Sequence, residues 1–296
     1  MSAQGGREPD IDTSLFARPS PRAIERVQIS FIHLALIAVS ATCLFPLWWT
    51  FASSLKTQRT VFSDHSLFPS DPQWFNYFEA WEKSDFGIYF VNSIFYTVLV
   101  VFGVLALASL AAFALSRLRF PGRQVLYFLL ISTMMIPIPG AFVPLYVLLV
   151  KLNLVDTRIG YILPQINANI PLGIFLLKTF FDQIPRDLEE QARIDGCNRW
   201  QVYWHIALPL ARPALATLTI FNVLAVWNEY LLAMLVLSSA KLMPLQRGLM
   251  VFQGAHITDY PLLMAGVIIT IVPVVICYLV LQRHIIKGIT AGAVKG

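Results

Sequence analysis

The residues of this chain best arranged for chemistry lie in one polar stretch, Asp182–Pro213, between two apolar runs. It carries Glu190-Gln191-Ala192, then Gly196 after three residues, then Ile206-Ala207-Leu208-Pro209 after nine more. The chemistry on offer is recognition rather than bond making. Asp187, Glu189 and Glu190 fall in the first turn of a helix opened by Pro185, where acids complement the positive helix end. Leu188 and Ala192, four apart, share a face. Gly196 predicts a break, and Asn198-x-x-Gln201 predicts a capping box that opens a second helix carrying Trp200, Tyr203 and Trp204. Pro209 and Pro213 predict its end. The outcome is a helix–bend–helix elbow with an apolar ridge and exposed acids, a surface suited to docking another protein. An amphipathic helix resting on lipid headgroups is the plainer reading of the same pattern.

Catalytic equipment is not evident. The sequence has no G-x4-G-K-[ST] phosphate loop, no G-x-S-x-G and no H-E-x-x-H. His33, His65, His205, His256 and His284 stand singly, and Cys43, Cys197 and Cys277 form no metal-ligand or disulfide pattern. No catalytic residue and no metal site are therefore assigned.

The elements that must position the elbow are membrane spans. The 296 residues are 57% hydrophobic and 13% charged, against about a quarter charged in soluble domains. About 20 apolar residues cross the hydrocarbon as a helix. Six runs meet or approach that length: Ile29–Leu55, Ile88–Leu115, Val125–Val150, Ile159–Phe181, Ala214–Leu237 and Leu262–Leu281. In lipid such runs must be helical, because every backbone amide needs an internal partner. The expected fold is an all-α polytopic membrane protein of six spans, the elbow lying between spans four and five. Residues 1–28 form a polar, cytosolic tail, partly disordered by composition, and no secretory signal is expected because the apolar run after it is longer than a signal core of about 7–15 residues. Residues 29–87 hold the first span and an outer segment, 88–284 the core with its loop at 182–213, and 285–296 a second tail.

Orientation follows from Lys and Arg. With the N-terminus inside, most of the 22 basic residues fall on inside segments, above all Arg117, Arg119 and Arg123 in one tight turn. Both termini and the elbow are then cytosolic. The net charge of +5 is accounted for by this topology, with no nucleic-acid partner implied.

The elbow spacing resembles the EAA loop of ABC-importer permeases, E-A-A-x3-G-x9-I-x-L-P, with Gln191 standing in place of the first alanine. Over about Ser53–Gly296 the chain looks like the smaller permease of carbohydrate ABC importers of the maltose/maltodextrin type. Three further stretches carry the likeness: Ala111–Gly122 (AAFALSRLRFPG), Trp227-Asn228-Glu229-Tyr230, and Gly288–Gly296 (GITAGAVKG). The resemblance implies ATP-driven sugar uptake across a bacterial or archaeal plasma membrane, by a chain with no enzymatic activity. It implies three partners: a second, homologous permease, a cytosolic ATPase dimer that binds the ATP and Mg, and an extracytoplasmic solute-binding protein. It places the ATPase contact on Glu189, Glu190, Ala192, Asp195, Gly196, Ile206, Leu208 and Pro209, with Glu190 pairing to a basic residue and Gly196 forming the bend. The tail Thr290–Gly296 would reach toward the ATPase dimer, although a plain terminal coil is the simpler expectation. Importers of amino acids, peptides or phosphonates, and an intramembrane enzyme, are the alternatives.

Polar residues inside spans mark candidate substrate-path positions. Gln165, Asn167 and Asn169, beside Pro164 and Pro171, are expected to interrupt the fourth span, either lining a route or making a satisfied kink. Asn222, Asn228 and Glu229 sit in or near the fifth, where path-lining and helix–helix contact are equally consistent. Trp227 either stacks on a sugar ring or anchors the interface. Between Lys56 and Gly87, Trp74, Phe78 and Trp81 follow helical spacing, predicting an aromatic helix at the outer interface or a landing surface for the binding protein.

Overall fold

A computed structural model of the chain describes residues 21–83, 85–135, 138–254 and 258–293, with side chains described between 28 and 280. In chain order the α-helices are α1 (Pro21–Ser54), α2 (Phe75–Lys83), α3 (Phe86–Arg117), α4 (Arg123–Ser132), α5 (Ile138–Lys151), α6 (Arg158–Gln183), α7 (Arg186–Ile194), α8 (Arg199–Val202), α9 (Leu208–Leu210), α10 (Arg212–Trp227), α11 (Leu231–Val236), α12 (Leu245–Gly248) and α13 (Tyr260–Ala293). No strand occurs among the described residues, only an isolated bridge between Gln253 and Thr258. Two units separate, Met1–Trp49 and Thr50–Gly296. In the first, α1 begins at Pro21 rather than Ile29, so the helix takes in the last residues expected to belong to the tail. Residues 1–20 of that tail lie outside the described residues.

Among the described residues four helices are long and apolar enough to cross a membrane: Gln28–Ser54, Phe86–Arg117, Arg158–Gln183 and Tyr260–Val280. The count reaches six if two bent pairs each cross as one span. The third expected span is one of these pairs, α4 and α5, joined through the 3-10 turn Thr133–Met135. The fifth differs from the sequence expectation more sharply. Its helix, α10, stops at Trp227 and the chain restarts as the short α11, because Asn228 ends the helix with its own side chain on the Leu224 carbonyl.

In the second unit α3 and α6 form the central pair, and they run parallel. Tyr96 meets Tyr161 near their N-terminal ends, with ring centroids 4.7 Å apart. Phe113 meets Phe181 near their C-terminal ends at 6.0 Å. The segment between parallel helices must return to its starting side, which an α4–α5 pair crossing once achieves. Gly173 permits the close approach: a Cβ there would stand 2.7 Å from the Cβ of Ala108 and 3.2 Å from Leu218. Gly173→Val is expected to destabilise the purified protein by about 1–3 kcal/mol through overpacking, read as a lowered Tm in detergent. Helix α10 closes the bundle against α3 and α6, joining Leu218, Ala214 and Val226 to the core of Val104, Ala108 and Ile174.

The end of the bundle where α3 and α6 begin is pinned by polar side chains on α3. Asn92 donates to the carbonyls of Lys241 and Met243, Tyr96 to that of Leu242, and Ser93 accepts from the Leu245 amide. Asp156 accepts from the amides of Ser238 and Ser239, so two loops are joined without a strand. Helix α2 occurs where the aromatic spacing predicts it; Trp74 just before it and Phe75, Phe78 and Trp81 on it are exposed. Beside it Lys56 is buried, donating to the carbonyls of Asp64 and Ser66. Asp64 in turn accepts from the Ser66 amide and hydroxyl, which holds its carboxyl below the usual range.

Candidate functional site

The elbow forms where the sequence predicts it, at the end of the bundle where α3 and α6 finish. Helix α7 starts directly after Pro185 and carries Asp187 and Glu189 in its first turn. It ends in a Schellman arrangement: the Cys197 amide donates to Ala192 O at 2.9 Å and the Gly196 amide to Arg193 O at 3.1 Å. Gly196 has φ +87°, a conformation costing other residues about 1–2 kcal/mol. The capping box opens α8: Asn198 Oδ1 accepts from the Gln201 amide at 2.9 Å, and Gln201 Oε1 from the Asn198 amide at 2.8 Å. The helix then widens into a π-turn, Tyr203–Ala207, just ahead of Pro209. Proline has no amide to donate and its ring crowds the carbonyl four residues back, so a wider turn relieves the contact. Contrary to expectation Pro209 does not end the helix. The chain turns at Ala211, where Arg199–Leu210 meets Arg212–Trp227 at 73°.

Two side-chain ties lock the elbow to α3. The side chain of Arg117, the last residue of α3, is buried and donates to the carbonyls of Phe181 and Ile184 at the end of α6. Its Nε lies 2.9 Å from Glu189 Oε1 of α7, a contact of opposite charges without the alignment of a hydrogen bond. One guanidinium thus joins three elements. The second tie is buried: the Ser109 and Tyr203 hydroxyls meet at 2.7 Å, and the Tyr203 ring packs edge-on to Phe113 at 5.2 Å. Ser116 supports the first by donating to Asp182 at 2.5 Å, and Lys178 pairs with the same carboxylate at 2.7 Å.

The predicted contact residues divide by direction. Glu190, Asp195 and Gly196 are exposed; Ile206, Leu208 and Pro209 are half-buried. Glu189 and Ala192 face inward, which corrects the grouping of Glu189 with the exposed acids. Leu188 does not share Ala192's buried face but is exposed. Adjacent residues differ by about 100° around a helix, so Glu189 meets Arg117 while Glu190 makes no ion pair among the described residues. Sequence reasoning also missed Ile194, 85% exposed, and Arg117 itself. An isoleucine between Arg193 and Asp195 was a readable signal for the first. For the second, Arg117 counted only as a charge in a loop, and nothing local marks it as buried.

Most of the candidate path residues are taken up by bonds to backbone, and two of them, Gln165 and Glu229, share the buried Tyr161 hydroxyl. Helix α6 runs unbroken through Pro164 and Pro171, correcting the expected interruption. Gln165 is buried, Asn169 donates back to the Gln165 carbonyl at 2.8 Å, and Asn167 is exposed. Glu229 caps α11, accepting from the amides of Leu232 at 2.8 Å and Ala233 at 3.1 Å, with the Tyr161 hydroxyl at 3.4 Å. Asn222 is buried and donates to the Leu218 carbonyl. Trp227 is neither a surface anchor nor an open platform: it is buried, and its indole N–H donates to the Thr270 carbonyl at 3.2 Å. It walls a small apolar cavity of about 150 Å³, together with Thr97, whose buried hydroxyl has no partner among the described residues. No group of three metal-ligating side chains occurs among the described residues.

This architecture recurs in known proteins. Residues 104–291, which include α6, the elbow and α10, match the family described as "Binding-protein-dependent transport system inner membrane component". The diacetylchitobiose uptake system permease of Streptomyces coelicolor is 32% identical over 265 residues, covering 89% of this chain and 88% of that protein. The melibiose/raffinose/stachyose import permease of Bacillus subtilis is 32% identical over 281 residues, covering 93% of this chain and all of its own length. A solved bacterial ABC transporter involved in import of the acidic polysaccharide alginate has a chain that superposes with a TM-score of 0.74. It is 28% identical, and the match covers 90% of this chain and 99% of that one. Matched by the family over residues 104–291 and by these relatives along about nine-tenths of its length, this chain belongs to the binding-protein-dependent transport system inner membrane component family.

Proposed function

We propose that this chain forms one part of the translocation path of an ATP-driven sugar importer and couples that path to a cytosolic ATPase through its elbow. The observation carrying the proposal is the split of adjacent acids: Glu189 tied inward to α3 through Arg117, Glu190 turned outward one turn before exposed Ile194 on the same helix. An exposed apolar patch rimmed by charge, on an element riveted to the central helices, suits a partner that pushes and pulls. Sugar as cargo rests on relatives that carry diacetylchitobiose and the melibiose group. The chain is a non-catalytic membrane subunit. ATP and Mg belong on the partner ATPase, whose closure rocks the elbow and, through Arg117 and Tyr203, α3 and α6. A second homologous permease completes the pore, and a solute-binding protein delivers cargo at the opposite face, where α2 displays its aromatic residues. The arginine-rich α3–α4 turn on the elbow side supports a cytosolic elbow.

Copurification of the tagged chain is expected to bring down an ATPase and a second permease. In proteoliposomes with the binding protein, one class of sugar should stimulate ATP hydrolysis. Stimulation by amino acids or peptides instead would refute the sugar assignment, and purification without any ATPase would refute the coupling role.

A further inference from the structure

The α3–α4 turn and Arg186 of the elbow border a shallow, open cavity of about 720 Å³ that coupling does not explain. Arg119, Arg123 and Arg186 line it, and no acidic residue does. Arg119 and Arg186 are exposed and enter no ion pair among the described residues. Arg123 uses Nη1 on the carbonyls of Ser116 and Leu118 at 3.4 and 3.2 Å, which fixes its guanidinium at the cavity edge. Gly122, at φ +77°, precedes α4 and lines the cavity, and no side chain caps the helix, so its first amides lack a side-chain acceptor.

The position points to the source of the anion. Beyond Arg123, α4 shows exposed Val125, Phe128 and Leu129, an apolar surface suited to hydrocarbon. Phe120 and Pro121 form an apolar rim. A cationic cavity at the polar end of such a helix lies at headgroup depth, where basic pockets between spans hold phospholipid phosphates. We infer that the Arg119–Arg123–Arg186 cavity binds the phosphate headgroup of an anionic phospholipid, which bridges the α3–α4 turn and the first residue of α7. This goes beyond the coupling proposal and stands without it, needing only a membrane-embedded chain.

Native mass spectrometry of the assembled complex in detergent, titrated with dioleoyl-phosphatidylglycerol and separately with dioleoyl-phosphatidylcholine, tests it. R119Q/R186Q is expected to weaken phosphatidylglycerol binding about tenfold, with phosphatidylcholine unchanged. R119K/R186K should retain binding, and R59Q/K241Q, which removes equal charge elsewhere, should leave it intact. The single variant R119Q alters an exposed side chain and keeps the test readable if the double variant assembles poorly. Equal phosphatidylglycerol binding by wild type and R119Q/R186Q overturns the inference, as does an equal loss in R59Q/K241Q. Displacement of the lipid by millimolar inorganic phosphate would assign the site to a soluble anion and overturn it. So would unchanged lipid binding with loss of a copurified subunit, which would assign the arginines to a protein contact.

Discussion

Arg117→Met is expected to uncouple ATP hydrolysis from transport more severely than the double variant Arg117→Met/Glu189→Gln. The single change deletes the guanidinium that holds the ends of α6 and leaves the Glu189 carboxylate buried without its cation. Removing one partner of a buried pair costs about 3–5 kcal/mol, most of it from the stranded charge. Helix α7 would swing outward to hydrate Glu189, and the elbow would lose its link to α3. Neutralising Glu189 as well removes the reason to swing, so the double variant should recover part of the coupling. A coupling energy of about 0.5–3 kcal/mol between the two sites is expected in the cycle. The readouts are transport per ATP hydrolysed in proteoliposomes and the Tm of the purified complex. Strictly additive losses would show that the two side chains act independently and would remove Arg117 from the transmission path.

The second large effect is expected from Glu190→Lys, and its profile should be the reverse. Glu190 is exposed and carries no ion pair in this chain, so the variant should insert and melt as wild type does. Its loss should fall on the partner. Reversing one member of a desolvated interface pair costs about 2–5 kcal/mol, enough to lower sugar-stimulated ATPase activity by more than about tenfold. Gly196→Val should lower the same activity through the bend, since a β-branched residue resists φ +87°. Wild-type stimulation in Glu190→Lys would count decisively against the elbow as the ATPase contact. The contrast between the neighbouring acids is itself a test: Glu189→Gln should lower Tm, Glu190→Lys should not.

Much of the elbow was legible because its signals are local. A proline before a first turn, a glycine with no Cβ and an Asn–Gln capping pair each act within four residues, and all three occur as the spacing predicts. The spans were legible for the same reason: run length needs no knowledge of neighbours. Their exact extents were not. The fifth run reads as continuous to Leu237, yet α10 stops at Trp227, because Asn228 and Glu229 find local backbone partners that a hydropathy count ignores. Conversely the prolines of α6 suggested a break that does not occur: the helix passes Pro164 and Pro171 intact, and Gln165 and Asn169 lie buried or bonded within it.

The sequence by itself determined the class of protein, the existence of the elbow and the family, since each depends on composition or on residues close in the chain. Only the tertiary structure decided which acid faces in and which faces out, that Arg117 joins α3 to α6 and α7, that Tyr203 meets Ser109 across 94 positions, and that Arg186 shares a cavity with Arg119. Those facts depend on the parallel packing of α3 and α6, which brings their ends together beside the elbow. Pairing across such separations is fixed by packing and desolvation, and no spacing within the chain encodes it.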